Sequence, residues 1–303
     1  MIIVVCLNPA LDITHHVDAV DWGGVNRPRA VRARPGGKGL NVARTLRALG
    51  VDVLVLGLAG GITGAGVEAA LRERCVPAAF TPVAGETRRT FSVVDDSRVT
   101  AFYEPGPAVS EEEFAGFRRG YEQALDGAAA VVLSGSLPPG LEPATYATLI
   151  QAAGVPAVLD THGEALRLGA AAGAAVVKPN LAELESLTGH ELAAPDGVIA
   201  AAGQLRGAQA VVVTLGPDGL LAATGDGCWR ARVPATATGN ATGAGDAVAA
   251  ALAHGLVLGR PWDERLRHAA ALGAATAAAP VAGEFRRQDY LGALTAVTVE
   301  EVR

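Results

Sequence analysis

The chain has 303 residues, half of them apolar and 18% charged, with 25 Lys and Arg against 31 Asp and Glu and a net charge of −6. Such a composition argues against disorder and allows a sizeable core. Its acidic balance argues against a nucleic-acid partner bound by phosphate neutralisation.

In chain order, "MIIVVCLNPALD" has no basic segment before its short apolar run, so 2–7 is expected to be a first strand and not a secretory signal. Residues 12–34 break the apolar rhythm with alternating stretches such as "DITHHVDAV". The periodicity then predicts a helix over 39–49, with Val42, Leu46 and Leu49 on one face and Arg44 and Arg47 off it. A strand follows over 53–58. Within 86–106, Thr90–Val94 and Val99–Tyr103 flank "DDS" and read as an antiparallel hairpin. Ser110 and Glu113 have capping-box spacing and open a helix over 111–125. Further apolar runs at 129–134, 156–160, 174–178 and 210–215 alternate with helical patterns.

Near-continuous apolarity marks strands covered on both faces, and the strand–helix–strand order implies a doubly wound, mostly parallel sheet flanked by helices. The irregular stretches 12–34 and 86–106 are expected to pair into a small sheet projecting from one α/β domain over 1–303. The longest apolar tract, 268–283, is Ala/Gly-rich and interrupted by Pro280, too short to span a bilayer, so no membrane partner is expected. Cys6, Cys75 and Cys228 are odd in number and lack metal-ligand spacing, which suits packing roles in a reducing cytoplasm.

Two glycine-rich stretches carry possible chemistry. In "ATGAGDAV", Gly243 and Gly245 permit backbone conformations and approaches that a side chain would obstruct. A helix starting near Ala244 would present unpaired N–H groups and a positive dipole end to an anion, with Asp246 in reach as a proton acceptor. The same residues also fit an ordinary loop with a favourable charge in the first helical turn. In "RPGGKGLNVARTLRALG" (34–50), a tight loop leads into a helix without the spacing of a Walker A loop. It suits either backbone approach to a polyhydroxylated ligand, with Asn41 as donor and acceptor, or a plain surface turn.

With "LNPALD" (7–12), "TR" (87–88), "SGSLPPG" (134–140), "KPNLAE" (178–183) and "TLGPDG" (214–219), these stretches form an ordered set that resembles the ribokinase-like, or PfkB, carbohydrate kinases over residues 2–290. The resemblance is to the phosphosugar branch: 1-phosphofructokinases, tagatose-6-phosphate kinases and minor 6-phosphofructokinases. It implies a ribokinase-like fold whose small sheet acts as a lid, and ATP and Mg2+ as co-substrate and metal. A homodimer through the lid is also implied. By this resemblance Asp246 is the catalytic base and the amides of Gly243, Ala244 and Gly245 are the anion hole. Asp12, Gly37, Lys38 and Asn41 surround the sugar, Ser134 faces the cleft, and Arg27 and Arg88 hold the substrate's phosphate. Taken alone, Arg27 is equally readable as a solvated arginine. Lys178, Asn180, Thr214, Gly216 and Gly219 fall to the nucleotide, and Asn180 with Glu183 to magnesium and its waters, although Asn180 also fits a helix cap.

The chain departs from the family pattern at Ala241 and Ala247, which remove no catalytic group, and at Thr90, where Asn is frequent nearby; the last leaves the sugar open. The favoured reaction is conversion of fructose 1-phosphate to fructose 1,6-bisphosphate, with tagatose 6-phosphate and fructose 6-phosphate as alternatives. More distant alternatives are a kinase of a neutral sugar or nucleoside and a non-catalytic sensor. No histidine is assigned a role.

Overall fold

The fold is that of a computed structural model, which describes residues 1–302 apart from 96–97, 193–194, 235–240, 280 and 282. Asp96 and Ser97 of the "DDS" turn, and Pro280, therefore lie outside the described residues. The chain opens with β1 (Ile2–Cys6), β2 (Ala10–His16), β3 (Ala30–Gly36), α1 (Lys38–Ala48), β4 (Val53–Ala59), α2 (Gly61–Glu73) and β5 (Ala78–Pro82). Next come β6 (Arg88–Val94), β7 (Val99–Tyr103), α3 (Glu111–Ala124), β8 (Ala130–Ser134), α4 (Thr145–Ala153), β9 (Ala157–Asp160) and α5 (Gly163–Ala171). It continues with β10 (Val176–Val177), α6 (Leu181–Thr188), α7 (Pro195–Ala202), β11 (Ala210–Thr214), β12 (Leu220–Thr224) and β13 (Gly227–Arg232). The last elements are α8 (Ala244–Val257), α9 (Trp262–Ala277), α10 (Arg287–Ala296) and β14 (Thr298–Val302).

The large sheet has the order β14-β13-β12-β11-β10-β9-β8-β1-β4-β5. Every pairing from β11 to β5 is parallel, whereas β12, β13 and β14 add on antiparallel. Each parallel strand feeds apolar residues to both faces, as β1 illustrates. Ile2, Val4 and Cys6 join a core formed with α1, α2, α8 and α9, and Ile3 and Val5 join one formed with α3 to α7. Full burial of such a side chain contributes about 1.5–3 kcal/mol relative to leaving it in water, so the continuous runs are what hold the layers together.

The six sequence-predicted strands of the large sheet are all present, with ends moved by one or two residues. β10 is the shortest because the run stops at Lys178 and Pro179, the latter without an N–H for the ladder. The antiparallel edge escapes the sequence pattern: β14 reads "TVEEV" and is mostly exposed, so no apolar run marks it. The edge strand β5, "AAFTP", is also missed: only Ala78 and Phe80 pack against the core, too few to make an apolar run.

The irregular stretches do form a separate four-stranded sheet in the order β3-β2-β6-β7. Its strands run over 10–16 and 30–36, slightly wider than 12–34. β6 and β7 are the expected antiparallel hairpin, while the central pair β2 and β6 is parallel and sets Asp12 opposite Thr90. The capping box of α3 is present in both directions, Glu113 N–H donating to Ser110 Oγ and Ser110 N–H to Glu113 Oε2. One close approach positions α1. A Cβ on Gly39 would lie 2.7 Å from Cys6 Cβ, so only glycine lets the first turn of the helix sit against the end of β1. Among the described residues no helix is long and apolar enough to cross a membrane.

Candidate active site

The carboxyl ends of β1, β8, β9, β10 and β11 open towards the first turns of α1 and α8, the edge where open α/β sheets bind ligands. α8 starts at Gly243, whose φ of 87° ends the preceding turn in a conformation that favours glycine. Asp246 in its first turn is 6% exposed and accepts a 2.7 Å hydrogen bond at Oδ2 from Asn41 Nδ2. Burial, reinforced by the negative field of Asp160, pushes its pKa up to about 6, against the opposing pull of the Asn41 hydrogen bond, Lys38 and Lys178. Of the three amides expected to form an anion hole, that of Ala244 is committed to Ala241 O at 3.1 Å, because the Gly243 turn folds it back.

A charge network lies beside this pair. Asp160 ends β9 with no solvent exposure and takes Lys38 Nζ at 3.1 Å and Lys178 Nζ at 3.3 Å on Oδ1. Burial opposes its ionisation, but the two ammonium groups outweigh that cost and hold its pKa below the ordinary carboxylate value. Lys38 also meets Glu183 Oε1 at 3.3 Å. Burial disfavours its charge, yet Asp160, Glu183 and Asp246 together hold its pKa above normal. Lys178 reaches the start of α8, its Nζ lying 3.5 Å from where a Cβ on Gly245 would be.

Asn180 caps α6, its Oδ1 accepting from Glu183 N–H at 2.7 Å while Asn180 N–H donates to Glu183 Oε2 at 2.8 Å. The Asn180 oxygen is thus occupied by the cap, and of the two residues expected near magnesium Glu183 is the one whose charge faces Lys38. Among the described residues no three His, Cys, Asp or Glu side chains cluster as a complete metal cage. Magnesium, which keeps several waters and takes ligands from phosphates, does not need one. Asp160 Oδ2, shut off from solvent, has no hydrogen-bond partner among the described residues.

On the small sheet, Asp12 Oδ1 accepts a 2.5 Å hydrogen bond from Thr90 Oγ1, and a Cβ on Gly36 would fall 2.0 Å from the Asp12 carboxyl carbon. The missing side chain at 36 is therefore what gives this carboxylate its place. Arg88 turns inward, its Nε donating to Asn8 O at 3.1 Å and Nη1 to Glu104 O at 3.3 Å. Arg89 points away and pairs with Glu104 on the exposed face, as strand alternation requires. Arg27 lies in the exposed connection between β2 and β3, and among the described residues no hydrogen bond or ion pair joins it to this group.

Gly37 is the N-cap of α1 at φ 98°, a conformation that favours glycine. Ser134 departs from expectation: it pairs with Asp160 across β8 and β9, and its Oγ is closed off from solvent rather than open to the cleft. Thr214 adjoins the site through a bridge to Asn180. Gly216 and Gly219 shape the turn after β11, and at Gly219 a Cβ would lie 2.1 Å from Ala231 O, so packing alone already demands that glycine.

Sequence reasoning missed two participants. Asp160 is a single polar residue closing an apolar run, a signal that was available at "PAVLD". Asn8 donates through Nδ2 to Pro105 O at 3.0 Å and Ser136 Oγ at 3.1 Å, tying β1 to the strand-exit segments; only its place inside "LNPALD" hinted at it.

A parallel sheet with a carboxylate at a glycine-bounded helix start, flanked by the buried Lys178 and the half-buried Lys38, is an α/β arrangement suited to an anionic ligand. The pfkB family carbohydrate kinase model matches residues 6–286, and the chain belongs to that family. Phosphofructokinase-2 from Escherichia coli, crystallised with fructose-6-phosphate, is 31% identical, with 97% of this chain and 98% of that one aligned at a TM-score of 0.87. Its tetrameric inhibited form gives 32% identity over the same shares and a TM-score of 0.89. A Thermotoga maritima protein described as a possible 1-phosphofructokinase is 27% identical, aligned over 100% of this chain and 99% of its own at a TM-score of 0.90.

Removing the Asp160 carboxylate leaves the enclosed Lys178 ammonium without its ion-pair partner, while Lys38 keeps Glu183. Asp160→Ala is expected to lower unfolding stability in urea by about 3–5 kcal/mol, whereas a loss under about 1 kcal/mol would mean the lysines do not depend on it.

Proposed function

We propose that the chain is an ATP-dependent, phosphofructokinase-type kinase of a ketohexose phosphate, acting foremost on fructose 1-phosphate to give fructose 1,6-bisphosphate. The observation that carries this reading is Asp246: a secluded carboxylate, held by one hydrogen bond, at the start of a helix and beside Lys178 and Lys38. Its pKa near 6 leaves it ionised at neutral pH and still basic enough to accept a proton. Asp246 would take the proton from the C6 hydroxyl of the sugar as that oxygen attacks the γ-phosphorus and the bond to the ADP leaving oxygen breaks. The amides of Gly243 and Gly245, with Lys178, would face the charge on the transferring group. Magnesium, held through waters by Glu183, supplies further neutralisation when bound. Asp12 and Asn41 would orient sugar hydroxyls. Arg88, with Arg27 if the small sheet closes, would take the sugar's own phosphate; closure also keeps water from competing as acceptor.

Fructose 6-phosphate is the second reading, favoured by the Escherichia coli relative crystallised with it. Both sugars present a phosphate at one end and a primary hydroxyl at the other. An uncharged sugar would give Arg88 no anionic partner, and a non-catalytic sensor would have no use for a carboxylate kept basic at the helix start.

Asp246→Asn is expected to retain ATP and sugar-phosphate binding in calorimetry while kcat falls by about 10²–10⁴-fold; near-normal turnover would refute the base. In the intact enzyme a base of raised pKa must lose its proton to work, so kcat/KM should be flat above neutrality and fall as pH drops through about 6. Arg88→Ala should raise KM for whichever phosphosugar is turned over, by about tenfold or more, since a charge-assisted contact is lost. An unchanged KM would remove Arg88 from the phosphate site.

One face of the small sheet exposes Val31 and Phe102, each by 57%, an apolar surface that we read as the contact with a second copy of the chain. Phe102→Glu should then shift the species seen in sedimentation velocity towards monomer, and an unaltered profile would place the contact elsewhere.

A further inference from the structure

Helix α1 sets Asn41 and Arg44 three residues apart, so that both lie on the face turned towards α8. Arg44 Nη2 donates to Asn41 Oδ1 at 2.5 Å, and Nη1 donates to Pro35 O at 3.1 Å. The other end of the same amide, Asn41 Nδ2, donates to Asp246 Oδ2 at 2.7 Å. We propose that Arg44 is a positioning residue for phosphoryl transfer: it dictates which way the Asn41 amide faces, and through that amide it orients the carboxylate of Asp246. This inference rests on the reading of Asp246 as the base.

The chemistry of the guanidinium carries the argument. It has donors and no acceptor, so only the oxygen of the amide can face it, and the NH2 group is left pointing at Asp246. With no such partner at position 44 the amide is free to turn over and put its oxygen against a carboxylate oxygen, which repels. Arg44 also has no ion-pair partner among the described residues. Burial and the charge of Arg34 push its pKa down to about 10, and the charges of Glu284 and Asp12 offset this only in part. Its Nε is closed off from solvent without an acceptor. A cation kept under those conditions does little for stability as an ion pair; what it does is fix geometry. The surroundings hold it there. A Cβ on Gly283 would lie 3.0 Å from both Arg44 Nη2 and Asn41 Oδ1, and Gly283 N–H donates to Thr242 O at 2.9 Å, on the segment that leads into α8.

The test compares Arg44→Lys, which remains donor-only, with Arg44→Gln, which can offer either end of an amide. In steady-state assays with saturating phosphosugar, Arg44→Gln should lose about 10- to 100-fold in kcat, with KM for ATP within about threefold of the parent. Arg44→Lys should recover a large part of that loss. In an Asn41→Ala background the Arg44→Gln change should cost less than about twofold more, because the relay is already cut. Equal kcat for the Lys and Gln variants, or losses that multiply in the double variant, would overturn the proposal. The outcome is separable from the assignment of the base: an Asp246→Asn protein that keeps its turnover refutes the base whatever the Arg44 variants do.

Discussion

The arrangement at the carboxyl edge of the sheet depends on charges that have been taken out of water and must satisfy one another. Asp160 lies wholly inside and stays ionised only because Lys38 and Lys178 converge on one of its oxygens. Those same two lysines act on Asp246, which among the described residues has no ion-pair partner and accepts a hydrogen bond from an amide. The two carboxylates are therefore driven in opposite directions, one held ionised and the other left with a raised pKa. Two acids in one cleft whose environments separate their proton affinities can take different roles, one structural and one chemical. Neither outcome is a property of Asp as a residue type; each follows from what the fold brings beside it.

Small residues make that convergence possible. Gly39 lets α1 lie against Cys6, which sets the depth of Lys38 and Asn41 relative to β1. Gly36 leaves the space that the Asp12 carboxyl occupies, and Gly243 turns the chain so that α8 begins where Asp246 can meet Asn41. A side chain at Gly36 or Gly39 would displace a charged group, or the helix that carries one, by more than the few tenths of an ångström over which a hydrogen bond remains good. The glycines are thus as much part of the electrostatics as the charged residues they make room for.

This division also explains what the sequence could reveal. Runs such as "IIVVC" and "AVVVT" are legible because both faces of a parallel sheet are covered, which forces continuous apolarity. The antiparallel edge carries no such mark, since one side of β14 meets water and "TVEEV" is what that looks like. Asp246, Asn41 and Lys38 stand out because each sits at a fixed offset from glycines at a helix start. Asp160 is less visible, because its partners come from positions 38 and 178 and no local pattern encodes a meeting over such separations. Arg44 is obscured for another reason. On a helical projection it lies off the apolar face with Arg47, as a solvated arginine would, and only the seating of α8 against α1 shows that this second face is a contact surface too.

The two faces of α1 point to how the cleft keeps its precision. Its apolar face is anchored in the core through Leu40, Val42, Ala43 and Leu46, all fully buried, while its polar edge carries Lys38, Asn41 and Arg44. One rigid element therefore delivers the donor that orients Asp246, the cation that sustains Asp160 and the guanidinium that disciplines the amide between. Because these groups share a helix, their spacing is fixed by a rise of about 1.5 Å per residue and not by loop conformation. Sliding α1 along β1 would misplace all three together. The resistance to that motion is the packing of Gly39 on Cys6 and of the leucines beneath it, so the chemistry at one end of the helix is secured by hydrophobic contacts along its length.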